Sequence, residues 1–135
     1  MRREDIINYL LSYLSSFLYH TRFFSEMINL IAGSGYEQAF FKIFVARLRA
    51  LSIMGKDAIQ LKEFELLKSC GIYSMHISSK GFNYRILYSF LPNGQPVLLL
   101  PFFERAGKKK TDYTPYIGPA LSRFAEVKEE YENGL

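Results

Sequence analysis

Tyr84-Arg85-Ile86-Leu87-Tyr88 sets an arginine in the middle of a run of aliphatic and aromatic residues, a composition typical of a β-strand. The run extends over residues 84–91, and two further strand-like runs flank it at residues 72–78 and 97–103. Asn93-Gly94 separates the last two runs, and because this pair tolerates positive φ it favours a tight hairpin. The sequence therefore predicts three consecutive strands, of which the last two are antiparallel neighbours.

Apolar residues at three- or four-residue spacing predict helices before these strands. Residues 1–32 indicate one long helix or two short ones, ended by Gly33-Ser34-Gly35, and residues 36–54 indicate another. The segment 59–68 is ambiguous. We expect a short helix there, although residues 60–62 could pair as an edge strand.

The end of the chain predicts a final helix over residues 116–131, because Pro119 lies near its first turn. Leu98-Leu99-Leu100 is apolar on both faces, so helices should cover that strand on both sides. The predicted fold class is α+β, with N-terminal helices and a C-terminal helix packed on a small antiparallel sheet. We divide the chain into an N-terminal helical extension, residues 1–35, and a main domain, residues 36–135.

Length and composition are those of one ordinary globular domain, since the chain has 135 residues, 49% of them hydrophobic and 22% charged. Cys70 is the single cysteine, so no internal disulfide can form and a reducing compartment such as the cytoplasm is expected. An ordinary zinc site would need carboxylates to join His20 and His76, the two histidines. We therefore predict no metal and no cofactor.

The first apolar segment is too short to cross a membrane. Its uncharged part, residues 6–19, would span roughly 21 Å as a helix, against roughly 30 Å of bilayer hydrocarbon. Glu4 and Asp5 interrupt the basic start, so a signal peptide is not expected either. The segment carries bulky residues around most of its circumference. We expect it to be covered by the domain, by a second copy in a homodimer, or by a partner.

Positive charge gathers in the second half of the chain, although the formal net charge is only +4. Residues 72–125 contain only two acidic residues, Glu104 and Asp112, but seven basic ones: Lys80, Arg85, Arg105, Lys108, Lys109, Lys110 and Arg123. A localised positive field is typical of a phosphate-binding face. Residues 108–110 could equally be solvated loop lysines.

The order of several short motifs gives this half of the chain a family resemblance. The motifs are Gly71-Ile72-Tyr73, Tyr84 to Tyr88, the turn at Gly94, residues 97–99 with Phe102, and Thr114-Pro115. Over about residues 66–131 they resemble the HigB-like branch of the RelE/ParE toxin superfamily. Three positions depart from its pattern: His76 stands where the family has arginine, Ser74 where it has glutamate and Glu104 where it has lysine.

The resemblance implies the toxin half of a bacterial or phage toxin–antitoxin pair, with a cognate antitoxin that we expect to be a helix-turn-helix protein. The RelE/HigB side of the superfamily cleaves mRNA on the ribosome without metal, and the ParE side poisons gyrase. We therefore expect a metal-free, ribosome-associated mRNA endoribonuclease in the cytoplasm. The alternative is a non-catalytic binding module on the same fold, either a gyrase-type poison or a degenerate toxin, which His76 and Glu104 favour.

Metal-free RNA cleavage needs a base for the 2′-hydroxyl, cations for the charge on the phosphorane and an acid for the leaving 5′-oxygen. Arg85 and Arg105 are the candidate cations, and His76 is the candidate base or acid. Arg85 could instead pair with a carboxylate, and His76 could be a plain surface histidine. The candidate RNA-binding residues are Lys80, Lys108, Lys109, Lys110 and Tyr113, with the tyrosine free to stack on a base.

Overall fold

A computed structural model describes residues 1–68, 70–104 and 110–134 and gives an α+β fold, as predicted. The elements in chain order are α1 Arg3–Tyr13, β1 Leu18–Tyr19, α2 Phe23–Ile31, α3 Glu37–Met54, a 3₁₀ helix Gly55–Gln60, β2 Phe64–Leu66, β3 Tyr73–Ser79, β4 Phe82–Phe90, β5 Pro96–Phe103 and α4 Thr114–Glu132. The strands form one five-stranded sheet in the order β1-β5-β4-β3-β2.

Strands β2 to β5 are antiparallel neighbours, and the β4–β5 pair confirms the predicted hairpin. The turn between β4 and β5 has Gly94 at φ 90°, a backbone conformation that favours glycine. The amide of Gly94 donates to the Leu91 carbonyl at 2.8 Å, which closes the turn.

The sheet is mixed because β1 pairs in parallel with β5, Leu18 opposite Val97. The expectation of a purely antiparallel sheet was therefore wrong at this edge. Since β1 has only two residues and lies between two helices, no run of alternating residues marks it in the sequence. Residues 1–32 form two short helices, one of the two predicted arrangements.

The helix expected over residues 59–68 does not form. A 3₁₀ turn ends at Gln60, and Phe64–Leu66 then forms the edge strand β2 against β3. Phe64 is buried in the core, Glu65 is half-buried and Leu66 is 47% exposed, so this edge strand contributes one side chain to the core. The edge-strand alternative was right in kind but displaced from residues 60–62.

Both faces of the sheet are buried, each by its own hydrophobic cluster. The first cluster joins α1, α2 and α3 to the face that carries Met75, Ile86 and Tyr88. The second lies under α4 and contains Leu87, Leu99 and Val127. In the parts of the chain that the structure describes, no helix combines the length and apolar character needed to cross a bilayer.

Candidate functional site

The β3–β4 pairing sets His76 directly opposite Arg85. Residues paired across two strands project from the same face of a sheet, so these two side chains lie side by side. Ser74 pairs with Leu87 on the same face, which is the face covered by α4. On the other side of the sheet, Arg47 of α3 donates from Nε to the backbone oxygen of His76 at 2.8 Å and fixes the position of that strand.

A cleft of about 500 Å³ opens over this pair, within the size range of ligand sites. One wall is β2 and the residues that follow it, and the other is the segment that leads into α4. The lining residues are Glu65, Leu66, Leu67, Lys68, His76, Arg85, Lys110, Thr111 and Tyr113. Sequence-distant residues from three strands and two connecting segments therefore meet in one site.

A hydrogen-bond network centred on Glu65 organises the cleft. The Tyr113 hydroxyl donates to Glu65 Oε1 at 2.5 Å, and His76 Nε2 lies 2.9 Å from the same oxygen. Because an ionised carboxylate can only accept, Nε2 carries the imidazole proton and Nδ1 carries the free lone pair. Ser74 Oγ lies 2.9 Å from the Tyr113 oxygen and donates to it, since the tyrosine proton is directed at the carboxylate.

Burial alone would raise the pKa of Glu65, but hydrogen bonds from Tyr113 and His76 and the charge of Arg85 outweigh it and hold that pKa below its ordinary value. Burial and the nearby Arg85 guanidinium lower the pKa of His76, although Glu65 opposes them. The site at neutral pH therefore contains an ionised carboxylate beside a neutral imidazole.

Tyr113 keeps its proton throughout the physiological range. Burial and the adjacent Glu65 carboxylate raise its pKa to about 12. Its ring lies edge-on to Phe102, with centroids 6.0 Å apart, and its hydroxyl points into the network. The expectation of a tyrosine free to stack on a base is therefore not what the structure shows.

Arg85 is nearly buried, at 9% exposure, whereas the other cations of the cleft, Lys68 and Lys110, are exposed. Its Nη1 donates to the Asn83 side chain and to the Tyr84 carbonyl, and its Nη2 donates to Thr111 Oγ1 at 3.3 Å. Nε is buried with no hydrogen-bond partner among the described residues. The oxygens that accept these bonds are neutral, and the guanidinium charge also acts on the Glu65 carboxylate and lowers its pKa.

The other predicted residues are distributed unevenly. Lys110 is exposed and lines the cleft, whereas Lys80 lies in the β3–β4 turn and is not part of the lining. Arg105, Lys108 and Lys109 lie outside the described residues. His76 is more enclosed than expected, because its side chain is 23% exposed and Ser74 beside it is fully buried.

Glu65, Lys68 and Thr111 belong to the site but were not predicted. Glu65 was missed because segment 59–68 was interpreted as a helix. A three-residue strand is too short to show an alternation in the sequence, so only the structure places this carboxylate on the cleft side of β2, next to buried Phe64.

The described residues bring no group of three His, Cys, Asp or Glu side chains together as metal ligands. What the cleft does hold is a fixed cation, a neutral imidazole oriented by a carboxylate, and a phenol that keeps its proton. Such a set can bind an anion, accept a proton and donate a hydrogen bond.

Comparison of the chain with protein-family models, curated proteins and solved structures found no match. The similarity to the RelE/ParE superfamily remains a prediction from the motifs.

Proposed function

We propose that this chain is the toxin of a toxin–antitoxin pair and cleaves ribosome-associated mRNA in the cytoplasm at the Arg85–His76 cleft. The observation that carries the proposal is the pairing of a nearly buried arginine with a neutral histidine in one cleft, on the sheet face that α4 covers. Of the motif strand, Arg85 and Leu87 lie on this face, whereas Tyr84, Ile86 and Tyr88 lie on the opposite face in the first cluster.

The proposed reaction starts at His76. Nδ1 removes the proton of a ribose 2′-hydroxyl, and the 2′-oxygen attacks the adjacent phosphorus. Glu65, which holds Nε2 at 2.9 Å, orients the ring and stabilises the imidazolium that forms. This role for Glu65 is that of a positioning residue.

Arg85 stabilises the charge that develops on the phosphorane oxygens, since its guanidinium fork matches phosphate geometry. The bond from phosphorus to the 5′-oxygen then breaks, and that oxygen takes a proton from the Tyr113 hydroxyl. The transfer is favourable because the pKa of Tyr113, about 12, is still below the pKa of the ribose 5′-hydroxyl that forms. The products are a 2′,3′-cyclic phosphate and a 5′-hydroxyl.

Lys110 and Lys68 are exposed at the mouth of the cleft and would hold neighbouring phosphates without reading sequence. A cognate helix-turn-helix antitoxin would neutralise the chain by covering this cleft.

The alternative is a non-catalytic binding module on the same fold, of the gyrase-poison or degenerate-toxin kind. The position of Glu65 favours it, because this carboxylate places a negative charge where a phosphate would enter. The two functions differ in outcome: only the first shortens mRNA, and only the second leaves mRNA intact while the chain binds a protein target.

Expression in a bacterium without the antitoxin tests the proposal. The chain should arrest growth, and Arg85→Lys should relieve the arrest because lysine keeps the charge but loses the bidentate fork. Arg22→Lys is the matched control, since Arg22 is exposed and does not line the cleft. Normal growth with soluble, folded wild-type protein contradicts the toxin assignment, and arrest with intact mRNA favours the binding module.

A further inference from the structure

A trough runs along the outer surface of α1 and α3, on the side of the molecule opposite the cleft. It consists of two hollows of about 500 Å³ and about 260 Å³ that share Tyr13 and Val45 as lining residues. Its apolar walls are Tyr9, Tyr13, Phe17, Phe41, Val45 and Ile53. Helix α3 packs on the sheet face that the first cluster buries, whereas the cleft lies on the other face.

The apolar walls differ in exposure. Ile53 is 77% exposed and Tyr9 is 44% exposed, whereas Phe41 is 5% exposed and forms the floor. Tyr9, Tyr13 and Phe41 pack as a three-ring cluster, with centroids 5.5 to 5.9 Å apart. A hollow with exposed aromatic and aliphatic groups at its rim is typical of a protein interaction site.

The charges along the trough are of one sign. Of the described residues that line it, the charged side chains are Lys42 and Arg49, both exposed on α3 and seven residues apart, so they lie on the same side of that helix. The Met1 amino group also lines it and is paired with Glu37 at 3.7 Å. Asp5, one turn before Tyr9 on α1, is paired with Arg2. A second copy docked trough to trough would therefore place cations against cations, which disfavours a homodimer through this surface.

The length of the trough fits a short helix. Gln38 and Ile53 are the outermost α3 residues that line it, and they are 15 residues apart, or roughly 22 Å at the rise of an α-helix. A partner helix of about four turns would match this length, with its side chains at i, i+3, i+4 and i+7 on the apolar wall.

We propose that this trough binds an amphipathic helix of a partner protein, with an apolar stripe against the α1–α3 wall and acidic residues facing Lys42 and Arg49. The complementarity in charge selects this occupant over a second copy. Because the trough and the cleft lie on opposite faces, the inference stands independently of the proposed function, and the bound helix leaves the cleft open.

The test uses the full chain and two labelled synthetic helical peptides. Both carry the same leucine stripe at i, i+3, i+4 and i+7, flanked by glutamates in one peptide and by lysines in its twin. Fluorescence anisotropy should show the glutamate peptide binding about tenfold or more tightly than the lysine twin at low salt. Lys42→Glu combined with Arg49→Glu should reverse that order.

Two further variants locate the contact. Ile53→Asp should weaken the binding of the glutamate peptide. It should leave the melting temperature of the protein unchanged, because Ile53 is largely exposed. Lys128→Glu, on α4 away from the trough, should leave both affinities unchanged.

Three results overturn the proposal: neither peptide binds, both bind equally, or the charge reversal does not change their order of affinity. So does a concentration-dependent dimer in analytical ultracentrifugation that Ile53→Asp abolishes, since a second copy would then occupy the trough. Binding to phosphatidylserine vesicles that the Lys42/Arg49 reversal abolishes, without peptide binding, would assign the surface to a membrane instead.

Discussion

At the scale of the residue, Glu65 determines the state of the site. Its Oε1 accepts hydrogen bonds from both Tyr113 and His76, and this fixes which imidazole nitrogen carries the proton. The same contacts order Tyr113, whose ring packs against Phe102. A single carboxylate on an edge strand thus sets the orientation of two potential proton donors and acceptors.

The lowered pKa of His76 predicts how stability depends on pH. Below the ordinary histidine pKa of about 6.5 the unfolded chain binds a proton that the folded chain does not, so stability is lost as pH falls from about 7.5 toward 5. His76→Asn removes this titration. Urea unfolding across that range should therefore show a shallower loss of unfolding free energy in the variant than in the wild type. Glu65 contributes in the same direction, but only below its ordinary pKa of 4.5, under this window.

Equal slopes for His76→Asn and the wild type would contradict the assignment of a neutral, enclosed imidazole. Ser78→Ala is the control, because Ser78 is an exposed, non-titrating residue two positions along the same strand.

The sequence predicted Arg85 and His76 as site residues because both lie in consecutive strands joined by a short loop. These two residues lie side by side because the register of the β3–β4 hairpin pairs them. Glu65 and Thr111 could not be found in the same way. Each reaches the cleft through a long-range contact, Glu65 with Tyr113 and Thr111 with Arg85, and no local periodicity specifies such contacts.

At the scale of the element, polar contacts of Arg123 and Glu126 help to hold α4 to the rest of the fold. Arg123 forms a bidentate pair with Glu26 of α2, with both N–O distances 2.6 Å, and also donates to the Leu99 carbonyl of β5 at 2.9 Å. His20 accepts the backbone N–H of Arg22 at Nδ1, so its Nε2–H donates to Glu126 at 2.6 Å. The hydrogen bond from His20 lowers the pKa of Glu126.

Arg123→Met should destabilise the protein by about 2–3 kcal/mol, because it leaves Glu26 unpaired and the Leu99 carbonyl without its donor. Lys128→Ala is the matched control on the same helix. Its contact with Glu132 is exposed and 3.9 Å long, so its loss should change stability by less than about 0.5 kcal/mol. Chemical denaturation measures both, and similar effects would show that the Arg123 pair does not hold α4 in place.

Elements with several turns or a clear hairpin were predictable, whereas the shortest ones were not. Helix α3 begins and ends within one residue of its expected bounds, since its apolar stripe and Gly55 mark it locally. Strands β1 and β2 have two and three residues, which are too few to show the alternation of apolar and polar residues that marks a strand in the sequence. Both strands form because their backbones pair with the outer edges of longer strands, β1 with β5 and β2 with β3.

At the scale of the whole molecule, the first 35 residues share the core of the sheet. Ile6 and Leu10 of α1 and Phe23 of α2 are fully buried in the same cluster as Met75 and Tyr88. β1 adds a strand to the sheet from this segment. Removing residues 1–32 should therefore expose the opposing apolar surface, and light scattering should detect aggregation of the truncated chain.

Leu10 and Leu11 give a sharper test of the same idea. Leu10 is fully buried, whereas its neighbour Leu11 is 52% exposed. Leu10→Ala should cost about 2–5 kcal/mol of unfolding free energy, and Leu11→Ala should change it by less than about 0.5 kcal/mol. Thermal or urea unfolding compares them, and a small effect at Leu10 would mean that α1 is an appendage.

Single-turnover cleavage of end-labelled mRNA on programmed ribosomes tests the Arg85–His76 cleft most directly. The wild-type protein should produce fragments with 5′-hydroxyl and 2′,3′-cyclic phosphate ends, because the 2′-oxygen is the attacking group. Arg85→Lys should slow cleavage by about 100-fold or more, while Arg22→Lys leaves the rate unchanged. Intact mRNA with folded wild-type protein, fragments with 5′-phosphate ends, or an unchanged rate in Arg85→Lys would contradict the assignment of this cleft.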